Sequence, residues 1–234
     1  LKPCADEGVV GNTETCWESP YSGIAAEALY VLSLGGTTHE LMWTANGTNS
    51  ATYTAVSDPS LKITRYFGAA GRAGNGDNDG EYFEVKTPDG SVYRFGFNPT
   101  TTSGATNSVA WQPVVGNEAG EPGNGTAGNT IAQQGYRFML DLVVDSSGNA
   151  ATYFYRTDIN KYTSGTTKDY VRDIQLQRVE YGQRYTAGTT SVDAAQAKVD
   201  FRLVARCVEQ AQFVDGLRSG VYPNVACPTL GLAN

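Results

Sequence analysis

The sequence predicts an all-β fold: twisted antiparallel sheets built from successive β-hairpins and separated by long loops rich in Gly, Asn and Thr. Three observations predict it. The chain carries 27 Gly and 14 Tyr but only 2 Met, a balance of turn formers and β-forming aromatics that suits strands better than helices. Short runs alternate apolar with polar residues, as in 198–206 (KVDFRLVAR). Residues 74–97, GNGDNDGEYFEVKTPDGSVYRFGF, contain a hairpin whose register follows from the sequence. Pro88-Asp89-Gly90 presets a tight turn: Pro fixes φ, Asp tolerates the bridge region and Gly accepts positive φ. Pairing Thr87 with Ser91 then sets Val85 opposite Tyr93, Glu84 opposite Arg94 and Phe83 opposite Phe95. One face is apolar and the other carries an opposite-charge pair.

In chain order, residues 1–20 are polar and loop-like, with Trp17 expected to anchor their end. Residues 25–34 (AAEALYVLSL) mix signals. The first five have helical propensity, but Tyr30-Val31-Leu32 before Gly35-Gly36 reads as strand, and a strand over 29–34 is expected. Residues 40–44 are its partner across a turn of Gly35-Gly36-Thr37-Thr38, beside which lies His39, the single histidine. Residues 51–56 and 61–67 form further strands, split by Asp58-Pro59-Ser60. After the 74–97 hairpin, residues 98–110 read as a surface excursion that returns at Trp111. Residues 116–135 read as a long Gly/Asn-rich loop of the kind used for functional or mobile insertions. Residues 138–155 give two strands around a turn at 145–149, with Phe138, Leu140, Leu142 and Val144 on one face. Residues 157–167 read as a second polar loop, and 171–181 as a long strand paired with 198–206. The tail is irregular, and no helix is required.

At 234 residues the chain holds one large β domain or two small ones. A single β-rich domain over 1–234 is expected, with strands and the acidic turn in 1–110 and hairpins and tail in 111–234. The formal charge of -7 and scattered Lys and Arg argue against a nucleic-acid partner. No run approaches the roughly 18 apolar residues of a membrane span. No signal peptide is visible in these residues, and the start at Leu1 reads as that of a fragment or processed product. Cys4 and Cys16 form one cluster and Cys207 and Cys227 another, without a CxxC pair. Zinc would need an unusual ligand set. Two local disulfides, Cys4–Cys16 and Cys207–Cys227, are the simpler expectation, each contributing ~3 kcal/mol through the unfolded state. They imply an oxidising compartment, whereas four buried thiols would imply a reducing one.

The sharpest chemical signal is Asn75-Gly76-Asp77-Asn78-Asp79-Gly80-Glu81. Oxygen-bearing side chains at alternate positions before a glycine are how calcium loops present ligands to a hard cation. Asn75, Asp77, Asp79 and Glu81 are the candidate Ca²⁺ ligands. Lys86 stands where a helix-loop-helix hand needs its closing acid, so that version is excluded. The other reading is a solvated acidic turn. His39 looks like hairpin punctuation, not a catalytic base. Glu84, Glu118, Glu121, Asp141 and Asp145 are conceivable acids for a carboxylate-pair hydrolase, although Asp145 is better explained as a turn residue. Trp111, Tyr153 and Tyr155, with Tyr162 and Tyr170, could form a platform on which sugar rings stack. The plainer alternative is that they pave the outside of a sheet.

The run NGDNDGEYFEVKTPDGSVYRFGFN at 75–98 resembles the region preceding and entering the repeats of bacterial Rhs/YD-repeat proteins, especially the actinobacterial polymorphic-toxin kind. CADEG, LSLGG with HELMW, TNSVAWQPVVGNEAGEP, YRFMLDLVVDSSGNAATYFY, and VEYGQR with FRLVARC are similar to the same region in the same order, from Cys4 to Cys207. The resemblance implies a large secreted or surface-delivered protein whose repeats build a β-sheet cocoon around a C-terminal toxin. Asp145-Ser146-Ser147-Gly148-Asn149 followed by Tyr153-Phe154-Tyr155 matches its D-x-x-G-N and Y-x-Y unit. Cysteines that occur in relatives near Gly123 and Ala132 are absent here, and no autoproteolysis motif or toxin domain is present. The leading expectation is therefore a non-catalytic structural or interaction segment of an Rhs-type shell, partnered by neighbouring repeats of the same polypeptide. The alternatives are a binding module for cell-surface or plant polysaccharide and a polysaccharide hydrolase.

Overall fold

The computed structural model describes residues 2–4, 15–16, 30–116, 131–164 and 166–202. Among them are strands β1 (Lys2–Pro3), β2 (Thr15–Cys16), β3 (Tyr30–Leu34), β4 (Thr37–Asn46), β5 (Ser50–Ala55), β6 (Asp58–Tyr66) and β7 (Tyr82–Lys86). There follow β8 (Val92–Phe95), β9 (Val109–Val115), β10 (Ile131–Phe138), β11 (Leu140–Val144), β12 (Asn149–Ser164), β13 (Thr166–Arg184) and β14 (Ala197–Asp200). The only helical element among the described residues is a 3₁₀ turn at Gly68–Ala70. No helix among them is long and apolar enough to cross a membrane. The all-β expectation therefore holds.

Ten strands form one antiparallel sheet in the order β14-β13-β12-β11-β8-β7-β6-β5-β4-β3. Apart from one detour, it is a meander in which each strand pairs with the next in sequence. The Pro-Asp-Gly hairpin has the register written above: Phe83 pairs with Phe95, Glu84 with Arg94 and Val85 with Tyr93. The Thr87 N–H donates to Ser91 O at 3.0 Å and closes the turn. Phe83, Val85 and Phe95 join Leu41, Tyr53 and Ile63 in the main core. Each such side chain contributes about 1.5–3 kcal/mol relative to exposure. On the other face, Arg94 Nε lies 2.8 Å from a Glu84 oxygen.

The detour leaves after Phe95 and returns at Leu140, which pairs with Phe95. Between them β9 and β10 form a second, smaller sheet in the order β1-β2-β9-β10. Ala110 of β9 packs in one core cluster with Tyr155, Val171 and Ile174 of β12 and β13, which joins the two sheets. Cys4 and Cys16 are disulfide-linked and pack with Val115. Trp17, Cys207 and Cys227 lie outside the described residues.

Several element boundaries differ from expectation. β3 begins at Tyr30, and residues 25–29 are outside the described range. The β3–β4 turn is the two residues Gly35-Gly36, because Leu34 already pairs with Thr37. His39 is therefore a buried strand residue opposite Leu32, and its Nδ1 shares a hydrogen bond with Ser57 Oγ at 2.7 Å. Asp58 pairs with Ala55, so the next turn is Val56-Ser57 and not Asp58-Pro59-Ser60. Residues 98–110 are a surface excursion only in part: residues 102–105 are exposed, but Thr106, Ser108, Val109 and Ala110 are all buried. Residues 131–135 of the loop expected over 116–135 are strand, with Ile131 paired with Val115, and residues 117–130 lie outside the described residues. Residues 138–144 are not one strand, because the chain changes sheet at Met139. Residues 157–164 and 166–167 are not loop but part of the β12–β13 ribbon, with Lys161 opposite Asp169 and Tyr162 opposite Lys168. Those opposed pairs suit a polar two-stranded ribbon. The partner of β13 expected over 198–206 is present only in its first part, as β14, which pairs Val199 with Val179 and ends at Asp200; residues 203–206 lie outside the described residues.

Candidate functional site

The acidic turn lies between the two sheets and is held by both. Asn75 is buried, and its amide donates to Glu81 O and Gly96 O at 2.8 Å each. Its Oδ1 accepts from the Asp77 N–H at 3.0 Å. Asp77 Oδ1 accepts from the N–H groups of Asp79 and Glu81 at 3.1 and 3.0 Å. The short acidic and amide side chains thus wind the turn by capturing their own backbone. From the small sheet, Gly135 N–H donates to Asp77 Oδ2 at 2.6 Å and Gln133 Nε2 to Gly76 O at 2.6 Å. Trp111 rests on the open side of Gly76, where an added Cβ would come 2.8 Å from its Cδ1.

Glu81 is fully buried. Its Oε2 takes Arg65 Nη2 at 2.7 Å and Gln134 Nε2 at 3.2 Å, and its Oε1 takes the Tyr30 hydroxyl at 3.0 Å. A buried charge persists only when it is paired and hydrogen-bonded in this manner. Burial by itself lowers the Arg65 pKa, but Glu81, Tyr30 and Tyr53 together outweigh it and hold the guanidinium well above its ordinary value. Burial raises the Tyr30 phenol well above its usual range. Asp79 stands apart. Burial, then its hydrogen bond to Asp77, then the Asp77 and Glu81 charges push it up to about 8. Its Oδ1 is buried and accepts no hydrogen bond.

Asp77, Asp79 and Glu81 each present a carboxylate oxygen, and these lie within 4.8 Å of one another. Asn75 belongs to the same turn, so the four residues singled out from the sequence are brought together. Asp77 and Glu81, however, already serve as acceptors for protein donors. Asp79 Oδ1 is the oxygen still open to a new partner.

A second carboxylate pins the detour. Asp141 is fully buried and accepts from Phe97 N–H at 3.2 Å, Asn98 N–H at 2.6 Å, Thr106 Oγ1 at 3.0 Å and Ser108 Oγ at 2.7 Å. Burial raises it to about 6, against the opposing pull of those four donors. Four donors satisfying one acid is a structural arrangement, and Asp141 has no open oxygen face to offer a substrate.

The proposed stacking aromatics are not an open platform. Tyr155 is only 5% exposed and its hydroxyl donates to Leu140 O at 2.5 Å. Trp111 and Tyr153 are half-buried and pack against the Ala110 cluster. Of the conceivable hydrolase acids, Glu84 is paired with Arg94 and Lys86. Asp145 captures the N–H groups of Ser147 and Asn149 at 2.8 Å each; the Asn149 side chain, and then those N–H groups, hold its pKa below the ordinary value. Glu118 and Glu121 lie outside the described residues.

Arg65, Tyr30 and Gln134 escaped the sequence reading. The signal for Arg65 was its place after Leu61 and Ile63 on the apolar face of β6, while Glu81 continues the face of Phe83 and Val85. An Arg and a Glu at two apolar positions of neighbouring strands are a buried pair in waiting.

No family model matches the chain, and no curated protein matches it. Among solved structures it is similar to the crystal structure of TcdB2-TccC3, at 15% identity and a TM-score of 0.38 over 64% of this chain and 7% of that one. It is similar to TcdB2-TccC3-TEV at 15% identity and a TM-score of 0.33, over 70% and 7% of the two chains. It is also similar to the N-terminal domain of effector protein SpvB from Salmonella typhimurium strain LT2. There the identity is 14% and the TM-score 0.32, over 75% of this chain and 48% of that domain.

Proposed function

We propose that this chain is a non-catalytic structural segment of the β-shell of a secreted or surface-delivered Rhs-type protein, with its sheet edges covered by neighbouring repeats of the same polypeptide. The observation that supports this reading most is the ten-stranded meander, whose end strands β3 and β14 each have one strand neighbour among the described residues. Open strand edges attract further strands. The segments that match the D-x-x-G-N and Y-x-Y unit fall at the β11–β12 turn and inside β12, where a repeating hairpin needs them. The Cys4–Cys16 disulfide fits an oxidising compartment.

Sedimentation of the purified chain over a range of concentrations tests the edge. The chain is expected to self-associate, and Val31→Lys is expected to weaken association roughly tenfold or more, worth ~1.4 kcal/mol. Val31 is 65% exposed on β3, so the substitution places a charge on the edge without entering the core. A chain that remains monomeric throughout sinks the reading. Polysaccharide turnover abolished by one acid-to-amide change would favour a hydrolase. Retention on a polysaccharide gel that disappears in Trp111→Ala would favour a carbohydrate module.

A second reading adds calcium to the acidic turn, and the convergence of the Asp77, Asp79 and Glu81 oxygens supports it. Calcium takes about 6–8 oxygens, so Asp79 Oδ1 would enter first, with Asn75 and Asp77 exchanging backbone donors for the ion. Calorimetry above pH 8, where Asp79 is ionised, is the direct test. Binding heat with a rise in Tm is expected, and neither effect at millimolar calcium would falsify it.

A further inference from the structure

We propose that Thr152 and Gln183 form an internal ester cross-link between β12 and β13, with Glu180 carrying the proton. The Thr152 hydroxyl donates to Gln183 Oε1 at 2.8 Å, and the two residues are 0% and 1% exposed. One irregularity brings them together. Ala151 pairs with Tyr181 and Ala150 with Gln183, so Gly182 is an extra residue in β13. Its φ is +72°, a conformation that glycine adopts without strain. Strict alternation would put Gln183 on the face of Tyr181. The bulge turns it to the face of Glu180, and Glu180 is the cross-strand partner of Thr152. An alcohol, a carboxamide and a carboxylate therefore share one buried face.

Glu180 is 4% exposed. Its Oε1 accepts from Ser103 Oγ at 2.8 Å and lies 2.9 Å from Arg178 Nε. Its Oε2 is buried without a hydrogen-bond partner. A buried unpartnered carboxylate oxygen is costly and calls for a reason. Here it is the vacant acceptor that a proton relay requires. The Gln183 Nε2 donates to Asp193 O at 3.1 Å, which fixes the amide plane.

In the reaction, Thr152 Oγ bonds to Gln183 Cδ as Glu180 takes the hydroxyl proton. Collapse of the tetrahedral adduct breaks Cδ–Nε2, Glu180 returns the proton to the departing nitrogen, and ammonia leaves. One alcohol and one carboxamide become one ester and one ammonia, with no change of oxidation state and no co-reactant. Fixed proximity can supply an effective molarity on the order of 10⁵ M or more. Burial keeps water from hydrolysing the ester.

Intact-mass measurement of the purified full chain, freshly prepared and after prolonged incubation at neutral pH, tests this. The folded protein is expected to become lighter by one ammonia. Digestion should then yield a branched species that joins the peptides containing Thr152 and Gln183, and hydroxylamine treatment of the unfolded product should separate them. Glu180→Gln, verified as folded by circular dichroism, should stay at full mass over the same period. Wild-type chain that keeps its full sequence mass overturns the proposal. So does a loss of ammonia that maps to a single unbranched peptide, such as the one containing Asn46-Gly47. Cross-linking that proceeds equally in Glu180→Gln overturns the assigned role of Glu180.

Discussion

Asp79 is the residue at which the acidic turn is least settled. Its carboxyl is raised from 3.8 to about 8 by burial and by Asp77 beside it. A raised folded pKa means that the native state binds the proton more tightly than the unfolded chain. The associated stability is fully present below the unfolded value and is lost as pH rises through the folded one. Asp141, raised to about 6 by burial, acts in the same direction over a narrower window. The melting temperature should therefore fall as pH rises from about 4 to 8, by ~2–4 °C for each kcal/mol lost. Asp79→Asn keeps the shape and cannot ionise, so its profile should flatten between about pH 6 and 8 while the part below pH 6 persists. Differential scanning calorimetry across this range checks it. A wild-type profile that rises through the window would show that Asp79 folds as a paired anion. If calcium occupies the turn, its addition should reverse the Asp79 part of the slope, because the ion favours the carboxylate.

At the scale of elements, what could be read from the sequence divides by the distance between partners. The hairpin of β7 and β8 was legible to the residue, because Pro88-Asp89-Gly90 and the alternation of Phe83, Val85, Tyr93 and Phe95 are contained within one turn and its flanks. The Asp145 turn was legible for the same reason, since Asp145 closes it with its own carboxylate. The ribbon over 157–164 and 166–167 was not, because its polar residues resemble a loop until Lys161 is set against Asp169 and Asp158 against Arg172. β10 was hidden among glycines and glutamines whose task is to reach the acidic turn, a partner more than fifty residues away for both Gln134 and Gly135. The candidate site shows the same division. Asn75, Asp77, Asp79 and Glu81 were found by local spacing, whereas Arg65, Tyr30 and Gln134, which decide what Glu81 does, come from three other strands. Asp141 was visible as a lone acid in an apolar run, and its four donors became apparent only when residues 97–108 folded back over it.

At the scale of the whole described molecule, a continuous meander carries a second sheet, in which β9 and β10 are an insertion between β8 and β11 and β1 and β2 come from the N-terminal residues. The Cys4–Cys16 disulfide packs on Val115 of the insertion, and three acids fasten it. Asp77 and Glu81 hold β10 from one side, and Asp141 holds residues 97–108 from the other. An insertion fastened at a few points can open locally before the main sheet unfolds. Asp141→Asn replaces one of the two acceptor oxygens with an NH2 donor; the backbone N–H groups of Phe97 and Asn98 cannot reorient, so at least one of them is left without an acceptor. An unsatisfied buried group costs about 1–3 kcal/mol, or roughly a five- to 150-fold change in an opening equilibrium. Amide hydrogen exchange should therefore quicken by that factor in Val109–Val115 and Ile131–Phe138, with Ser50–Ala55 and Tyr82–Lys86 unchanged. Equal acceleration in all four segments would mean that the two sheets open as one unit, with Asp141 a part of the common core. A response confined to the insertion would make Asp141 the latch of a separable module, able to reposition while the ten-stranded sheet keeps its register.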